Sequence, residues 1–255
     1  MSASGTLTMT DTPKNILINP DAARPVQPVR LRDIVLLLVG GLIFGAVLGL
    51  IAIAIARFFT HSKFVTGIIF GTAVYGSWLL GYQWLANNRG WESLAARFSR
   101  TRLKVLLAAA ACGIGLTVLV SAVAVLLREI GINIVPLPSP EILPRNLSQL
   151  TAALVLIAII GPLAEELIFR GLLLDWLKKK INVWAAALIL SVLFSMLHNN
   201  GFNLGAIGAL AFGVRMALGL VSSMFAIRTS SLRPSFVMHA TFNGVACLVS
   251  VLNQP

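Results

Sequence analysis

Two neighbouring glutamates and an arginine interrupt an otherwise apolar stretch of the sequence, IIGPLAEELIFRGLLLDW at residues 159–176. The chain has only nine Asp and Glu among 255 residues, and no other two are adjacent. Glu166 and Arg170 are four residues apart and share a helix face, whereas Glu165 is turned away by about 100°. The spacing therefore predicts a structural ion pair between Glu166 and Arg170, and it leaves Glu165 available as a general base or acid.

Two later apolar segments carry further polar pairs. In LFSMLH, Phe194 and His198 stand at positions i and i+4, so the phenyl ring can shield the imidazole. In RPSFVMHATFNGVA, His239 and Asn243 have the same spacing and present two hydrogen-bond donors on one face, as an oxyanion hole requires. Each pair also has a structural interpretation. His198 could be an interfacial residue, and His239 with Asn243 could hold helices together.

Helix lengths suggest which of these groups meet. If the segments on either side of Lys180 form a helical hairpin, Glu165 and His198 both lie roughly 22 to 27 Å from the turn, at 1.5 Å per residue. We therefore expect them at a similar height. Arg215, on the next apolar segment, falls near the same depth. It could bind a carboxylate of the substrate, but charge compensation of the glutamate pair is the favoured interpretation.

The composition identifies the surroundings of these polar groups. Hydrophobic residues make up 57% of the chain, charged residues only 11%, and the mean hydropathy is +0.88. These values lie far outside the range of soluble domains and predict an all-α, polytopic transmembrane helical bundle whose first partner is the lipid bilayer. The net charge of +11 then reflects membrane topology, and no nucleic-acid partner is expected.

About seven apolar segments are long enough, or nearly long enough, to cross a bilayer as helices. The sequence divides into a flexible polar tail (1–30), a scaffold half (31–148) and a catalytic region that holds most of the buried polar residues (149–255). The predicted spans are 34–56, 64–86, 104–128, 149–176, 182–198, 203–227 and 232–252.

The positive charges predict the orientation of these spans. Fourteen of the 20 Lys and Arg fall in the tail and in alternate connections, four fall in the opposite connections, and two lie within spans. This bias places the amino terminus in the cytoplasm. The basic connection 87–104 is either an amphipathic helix at the membrane surface or a solvated loop, and the Pro-rich segment 135–144 is expected to be a rigid external connector.

Three motifs in this order resemble those of a known family. EELIFR, which begins at Glu165, FSMLH, which ends at His198, and HATFN, which begins at His239, look like the EExxxR, FxxxH and HxxxN motifs of the CAAX prenyl endopeptidase and bacteriocin-processing (CPBP, or Abi-like) intramembrane proteases. The resemblance covers about residues 150–250. The first 150 residues match only in being hydrophobic.

The resemblance implies hydrolysis of peptide bonds at or inside the membrane. Glu165 and His198 would activate the attacking water, and His239 and Asn243 would stabilise the tetrahedral oxyanion. The substrate would be a membrane-associated protein or peptide, of prenylated CAAX type or bacteriocin type. The expected location is the inner (plasma) membrane of a bacterium, and the oligomeric state is not predicted.

The resemblance also assigns supporting residues and raises the question of a metal. Glu166, Arg170 and Phe194 would brace the site. No cofactor is expected, because the sequence has no HExxH helix and the metal-free interpretation also accounts for Asn243. A catalytic Zn²⁺ held by two imidazoles and a carboxylate is the alternative. Its ligands would be Glu165, His198 and His239.

Two other classes of function fit the same polar residues. In a catalytically silent membrane-binding or immunity protein, these residues would only hold helices together. In a proton-coupled transporter, they would form a relay. The complete motif set argues against the first alternative. The absence of a sequence repeat with polar sites in both halves argues against the second.

Overall fold

The computed structural model describes residues 27–132, 144, 146–198 and 205–252, and this part of the chain is helical without any β-strand. Its helices are α1 (Leu31–Ala56), α2 (Lys63–Arg89), α3 (Leu94–Arg97), α4 (Leu103–Glu129), α5 (Leu147–Leu177), α6 (Val183–His198), α7 (Ala206–Thr229) and α8 (Arg233–Leu252).

Each of the seven predicted spans coincides with one of the seven longer helices. Five of these, α1, α2, α4, α5 and α7, have the length and apolar composition needed to cross a membrane. Helix α6 has only 16 residues, in agreement with the short fifth span, and α8 has 20. The all-α, multi-pass membrane fold is therefore confirmed. Residues 1–26 of the predicted tail and most of the Pro-rich connector lie outside the described residues.

Local sequence signals set several helix boundaries. The side chains of Ser62, Ser93 and Asn146 accept hydrogen bonds from the backbone N–H three residues later, and so cap α2, α3 and α5. Gly90 ends α2 with φ of 66°, a left-handed conformation that glycine adopts without steric cost. The polar residues at these ends thus satisfy backbone groups that the helices leave unpaired.

Helix α5 is the centre of the bundle and is wound irregularly. π-helical turns at Leu154–Ile160 and Leu167–Leu173 flank the regular turns at Gly161–Glu166. Pro162 has no backbone N–H to donate, which accounts for the widened turns before it. Helices α2, α7 and α8 all contact α5, so both glutamates are enclosed by protein.

Helix α8 is held against α4 at one very close approach. A Cβ atom on Gly113 would collide with the backbone carbonyl oxygen of Met238, the residue next to His239. Beside this contact, Thr117 Oγ1 donates to the carbonyl oxygen of Phe242 across 3.2 Å. Helix α4 therefore sets the position of the helix that carries His239.

The connections with most of the positive charge lie together at one end of the bundle. Leu232 N donates to Arg97 O at 2.9 Å, and Arg97 forms ion pairs with Glu92 and Asp175. Burial alone would lower the pKa of the Arg97 guanidinium, but the Asp175 carboxylate outweighs it and the pKa is raised. The connection 87–104 thus folds against the protein. A solvated loop is therefore wrong for Arg97, and the helical part of this connection is the short helix Leu94–Arg97.

The predicted flexible tail is too long at its carboxyl end. Gln27 N donates to Gly90 O at 2.9 Å, and Val29, only 9% exposed, belongs to the apolar core with Ile34. Residues 27–30 are therefore anchored to the helical bundle.

Candidate active site

One cavity of about 250 Å³ brings the chemistry-bearing residues together. Helices α5, α6, α7 and α8 supply the predicted residues of its wall, and α2 supplies one more. The predicted general base, the phenyl ring predicted to shield a histidine, the two hydrogen-bond donors on α8 and the arginine on α7 all line this cavity. Its lining residues include Tyr75, Glu165, Phe194, His198, Arg215, His239 and Asn243.

Glu165 is the hub of this cavity and is only 7% exposed. Its Oε1 accepts a hydrogen bond from Tyr75 Oη at 2.7 Å and lies 3.4 Å from His198 Nε2. Its Oε2 lies 3.7 Å from His239 Nε2. The expected meeting of Glu165 and His198 at one height is therefore confirmed.

The partners of the two imidazoles identify which ring nitrogens face the cavity. His198 Nδ1 is 2.8 Å from Phe194 O, a carbonyl that can only accept, so this nitrogen carries a proton. His239 Nδ1 is 2.8 Å from Glu166 Oε1, which is paired with Arg170 and accepts in the same way. Both rings therefore turn Nε2 toward Glu165.

This tautomer assignment gives Glu165 and His198 an acid–base character. A neutral His198 with a proton on Nδ1 has a bare Nε2, which faces a carboxylate oxygen that also only accepts. The two groups form a hydrogen bond when one proton lies between them. Such a pair can take a proton from water at one step and return it at another.

Glu166 and Arg170 form the predicted structural ion pair. Arg170 Nη1 lies 3.1 Å from Glu166 Oε1, and its Nη2 donates to Gly219 O on α7 at 3.1 Å. The side chain of Glu166 has no exposed surface and that of Arg170 is 2% exposed. Because Glu166 also holds His239 Nδ1, this pair orients one of the two imidazoles.

Phe194 has the predicted shielding position. Its ring centre is 4.2 Å from the His198 ring and 5.8 Å from the His239 ring, and the Arg170 guanidinium carbon lies 4.9 Å from it. The ring is 1% exposed. It packs between the two imidazoles and the buried cation, where it excludes water from one side of the site.

The two donors on α8 share the cavity, but each has another partner. Asn243 Nδ2 donates to Ile157 O at 2.9 Å. His239 gives Nδ1 to Glu166, so only its Nε2 faces Glu165 and the cavity. Their placement agrees with the predicted pair of donors, and their role in binding an oxyanion stays a prediction. Arg215 lines the same space, at the depth that helix length indicated.

Tyr75 is the residue of this site that the sequence analysis missed. It lies on α2, in the half predicted to be a scaffold, and a tyrosine is not unusual within a transmembrane helix. One signal was available, since the chain has only two tyrosines. Nothing in the sequence relates Tyr75 to Glu165, which is 90 residues away along the chain.

The three residues of the zinc alternative, two imidazoles and one carboxylate, meet in this cavity. Each imidazole has Nδ1 held by an acceptor and Nε2 directed at Glu165, an arrangement typical of metal-binding and of proton-transferring histidines. Yet among the described side chains no group of three His, Cys, Asp or Glu is arranged to hold a metal ion. The two Nε2 atoms lie 3.4 and 3.7 Å from the Glu165 carboxylate oxygens, and hydrolysis without a metal stays a prediction.

Comparisons with known proteins concern the second half of the chain. Residues 147–245 match the family model described as type II CAAX prenyl endopeptidase, Rce1-like. An uncharacterized 24.3 kDa protein of Escherichia coli is 30% identical over 97 residues, which cover 37% of this chain and 42% of that protein. The matched region is thus less than half the length of that relative. No solved structure matches the chain.

The matched segment contains all three motifs and every site residue except Tyr75. With the helices that could cross a membrane, it confirms the resemblance drawn from the motifs. Over residues 147–245 this membrane protein is therefore similar to the Rce1-like family of type II CAAX prenyl endopeptidases.

Proposed function

We propose that the protein is an intramembrane CAAX-type endopeptidase in which Glu165 and His198 activate water. The observation that carries the proposal is the position of Glu165, enclosed in a cavity with the Nε2 atoms of two imidazoles directed at its carboxylate. A carboxylate and an imidazole that share one proton are suited to general acid–base catalysis.

The proposed reaction uses this proton twice. A water molecule gives a proton to the Glu165–His198 pair as its oxygen attacks the carbonyl carbon of the scissile peptide bond. The same pair then returns a proton to the leaving nitrogen as the C–N bond breaks. The products are a carboxylic acid and an amine, which become a carboxylate and an ammonium by proton exchange, and the pair is back in its first state.

His239 and Asn243 are proposed to stabilise the oxyanion of the tetrahedral intermediate. His239 Nε2 would donate with both ring nitrogens protonated, while Glu166 holds its Nδ1 at 2.8 Å. Asn243 has a second amide hydrogen besides the one given to Ile157 O. In this mechanism Glu166 and Arg170 act on the substrate only through His239.

The proposed substrate is a membrane-associated peptide of prenylated CAAX type or of bacteriocin type. Arg215 lines the catalytic cavity, and Glu166 already has Arg170 as its cation. We propose that Arg215 contacts a carboxylate of the substrate; charge compensation of the glutamate pair, the interpretation favoured from the sequence, is the alternative. Location in the inner membrane of a bacterium, with the amino terminus in the cytoplasm, belongs to the same proposal.

The test uses purified full-length protein in detergent, a farnesylated CAAX peptide and a panel of membrane-associated peptides, with products identified by mass spectrometry. Glu165→Gln and His198→Gln are each expected to lower kcat by roughly 10² to 10⁴-fold, the usual contribution of a general acid or base. The matched controls are Glu129→Gln and His61→Gln, which change exposed residues outside the cavity.

Two outcomes would contradict the proposal. If wild type and Glu165→Gln leave identical product profiles across the panel, the residues only hold helices together and the silent-protein alternative gains. If activity disappears after exhaustive chelation and returns with zinc, the proposed metal-independent reaction is wrong. Cleavage that persists after chelation is the expected result.

A further inference from the structure

We infer that Tyr75 is a positioning residue for Glu165, so that a helix outside the segment shared with the family completes the active site. The inference rests on the proposed function, in which Glu165 and His198 take a proton from water. It adds a residue from α2 to a site whose other members all lie within the matched region, 147–245.

The contact between the two side chains is direct. Tyr75 Oη donates to Glu165 Oε1 at 2.7 Å, a short hydrogen bond between a neutral donor and a carboxylate. The same oxygen lies 3.4 Å from His198 Nε2. Tyr75 and His198 thus both contact Oε1, and they leave Oε2 directed toward His239 and the rest of the cavity. The phenol selects one orientation of the carboxylate without adding a charge.

The phenol ring is itself held in place by three helices. It packs edge-on against Trp78, with ring centres 5.8 Å apart, and Trp78 Nε1 donates to Leu38 O on α1 at 3.1 Å. On α5, the ring packs beside Gly161, where a Cβ would lie at an ordinary contact distance of 3.4 Å from Tyr75 Cε2. The packing explains where the ring lies, and the hydroxyl contributes the bond to Glu165.

This arrangement predicts a defined kinetic effect of the hydroxyl. A hydrogen bond donated to a carboxylate stabilises its charged form and restricts its rotation. Without the phenol hydroxyl, Glu165 would hold its proton more readily and would be less well directed at the water. We expect kcat to fall roughly ten- to hundred-fold, the range for a hydrogen bond to a charged group, with little change in KM.

The experiment compares Tyr75→Phe with Tyr82→Phe in the full-length protein. Tyr82 is the other tyrosine of the same helix, and its hydroxyl donates to Glu92 O at 2.6 Å, away from the catalytic cavity. Each substitution removes one hydroxyl and keeps the ring. Tyr75→Phe is expected to lower kcat and move the acidic limb of the kcat–pH profile upward by about one unit, the equivalent of 1.4 kcal/mol. Tyr82→Phe is expected to leave both unchanged.

A second readout does not need a substrate. Dicyclohexylcarbodiimide reacts with protonated carboxyl groups in membrane proteins, and mass spectrometry of the peptide that contains Glu165 measures its labelling. Tyr75→Phe is expected to increase labelling of Glu165 several-fold at a fixed pH, whereas Tyr82→Phe is not. Glu165→Gln identifies the labelled position.

The outcomes separate the inference from the proposed function. If Tyr75→Phe matches Tyr82→Phe in kcat, in the pH profile and in labelling, Tyr75 has only a packing role and the inference is overturned. If wild type cleaves no substrate but the labelling difference is present, the proposed function fails while the positioning of Glu165 by Tyr75 is supported.

Discussion

Helix α5 and the long helices that precede it are all apolar, but they have different surroundings. In the most apolar 18-residue window of each helix, 61% of the residues of α5 are buried inside the protein. The corresponding values for α1, α2 and α4 are 22%, 17% and 11%. Fewer side chains of the earlier helices are therefore buried, whereas α5 is surrounded by other helices.

This difference explains where the chain can keep charged groups. A carboxylate that faced lipid would be costly, but on α5 Glu165 and Glu166 are enclosed and have partners within hydrogen-bond or ion-pair distance. The earlier helices nevertheless contribute at two contacts. Tyr75 reaches Glu165, and Gly113 sets the position of α8. Substitutions in matched pairs test the comparison.

The largest difference is expected between two arginines. Arg170→Met removes the cation from a fully buried pair, which leaves Glu166 without it and costs about 3–5 kcal/mol of stability. Arg89→Met breaks a pair in which Arg89 is 47% exposed and Asp33 is 5% exposed. Because Asp33 keeps Arg32 at 3.8 Å, the expected cost is at most about 1 kcal/mol. Thermal unfolding in detergent measures both. Equal losses would contradict the enclosed character of α5.

A smaller difference is expected between two glycines of α4. A side-chain methyl on Gly113 would collide with the backbone of α8, so Gly113→Ala should cost about 1–3 kcal/mol through overpacking. Gly115 has open space at its Cβ position, and Gly115→Ala should be neutral or stabilising by up to about 1 kcal/mol.

The same two variants also test the link from α4 to the site. Because Gly113 packs beside the residue that precedes His239, Gly113→Ala is expected to lower kcat as well as the unfolding temperature. Unchanged kcat in a folded Gly113→Ala variant would show that the position of α8 does not depend on this contact.

The smallest effect is expected at Arg215. If its guanidinium contacts a carboxylate of the substrate, Arg215→Gln should raise KM about tenfold, or 1.4 kcal/mol, for a peptide with a free carboxyl terminus. The same peptide with an amidated carboxyl terminus should have the same KM with wild type as with the variant. Arg128→Gln, an exposed arginine at the end of α4, is the matched control. A similar loss for both peptides would assign Arg215 to the structure of the site instead.

Most of the site residues could be predicted because helix geometry relates neighbours along one chain segment. The separation of four residues determined the pairing of Glu166 with Arg170 and the stacking of Phe194 on His198. A constant rise per residue determined that Glu165 and His198 meet. These relations depend on short separations or on one hairpin, where few alternative arrangements exist.

Other features depended on contacts that residue spacing along a helix does not predict. Three groups contact segments that are far away in sequence. They are the end of the tail at Gln27, the connection that carries Arg97 and the phenol of Tyr75. The direction of the His239 ring also depended on its neighbours, since Glu166 takes Nδ1 and leaves Nε2 to the cavity. Polarity alone indicated that these groups needed partners, without showing which.

The sequence by itself determined the membrane-spanning helical fold, the similarity of residues 147–245 to a known family and the faces on which most of the polar residues stand. These follow from hydrophobic segment length and from the 3.6-residue period of the helix. Only the tertiary structure decided that Tyr75 contacts Glu165 and that α4 positions α8. The lateral order and rotation of membrane helices arise from close packing at particular small residues and from hydrogen bonds between helices, and hydropathy does not encode them.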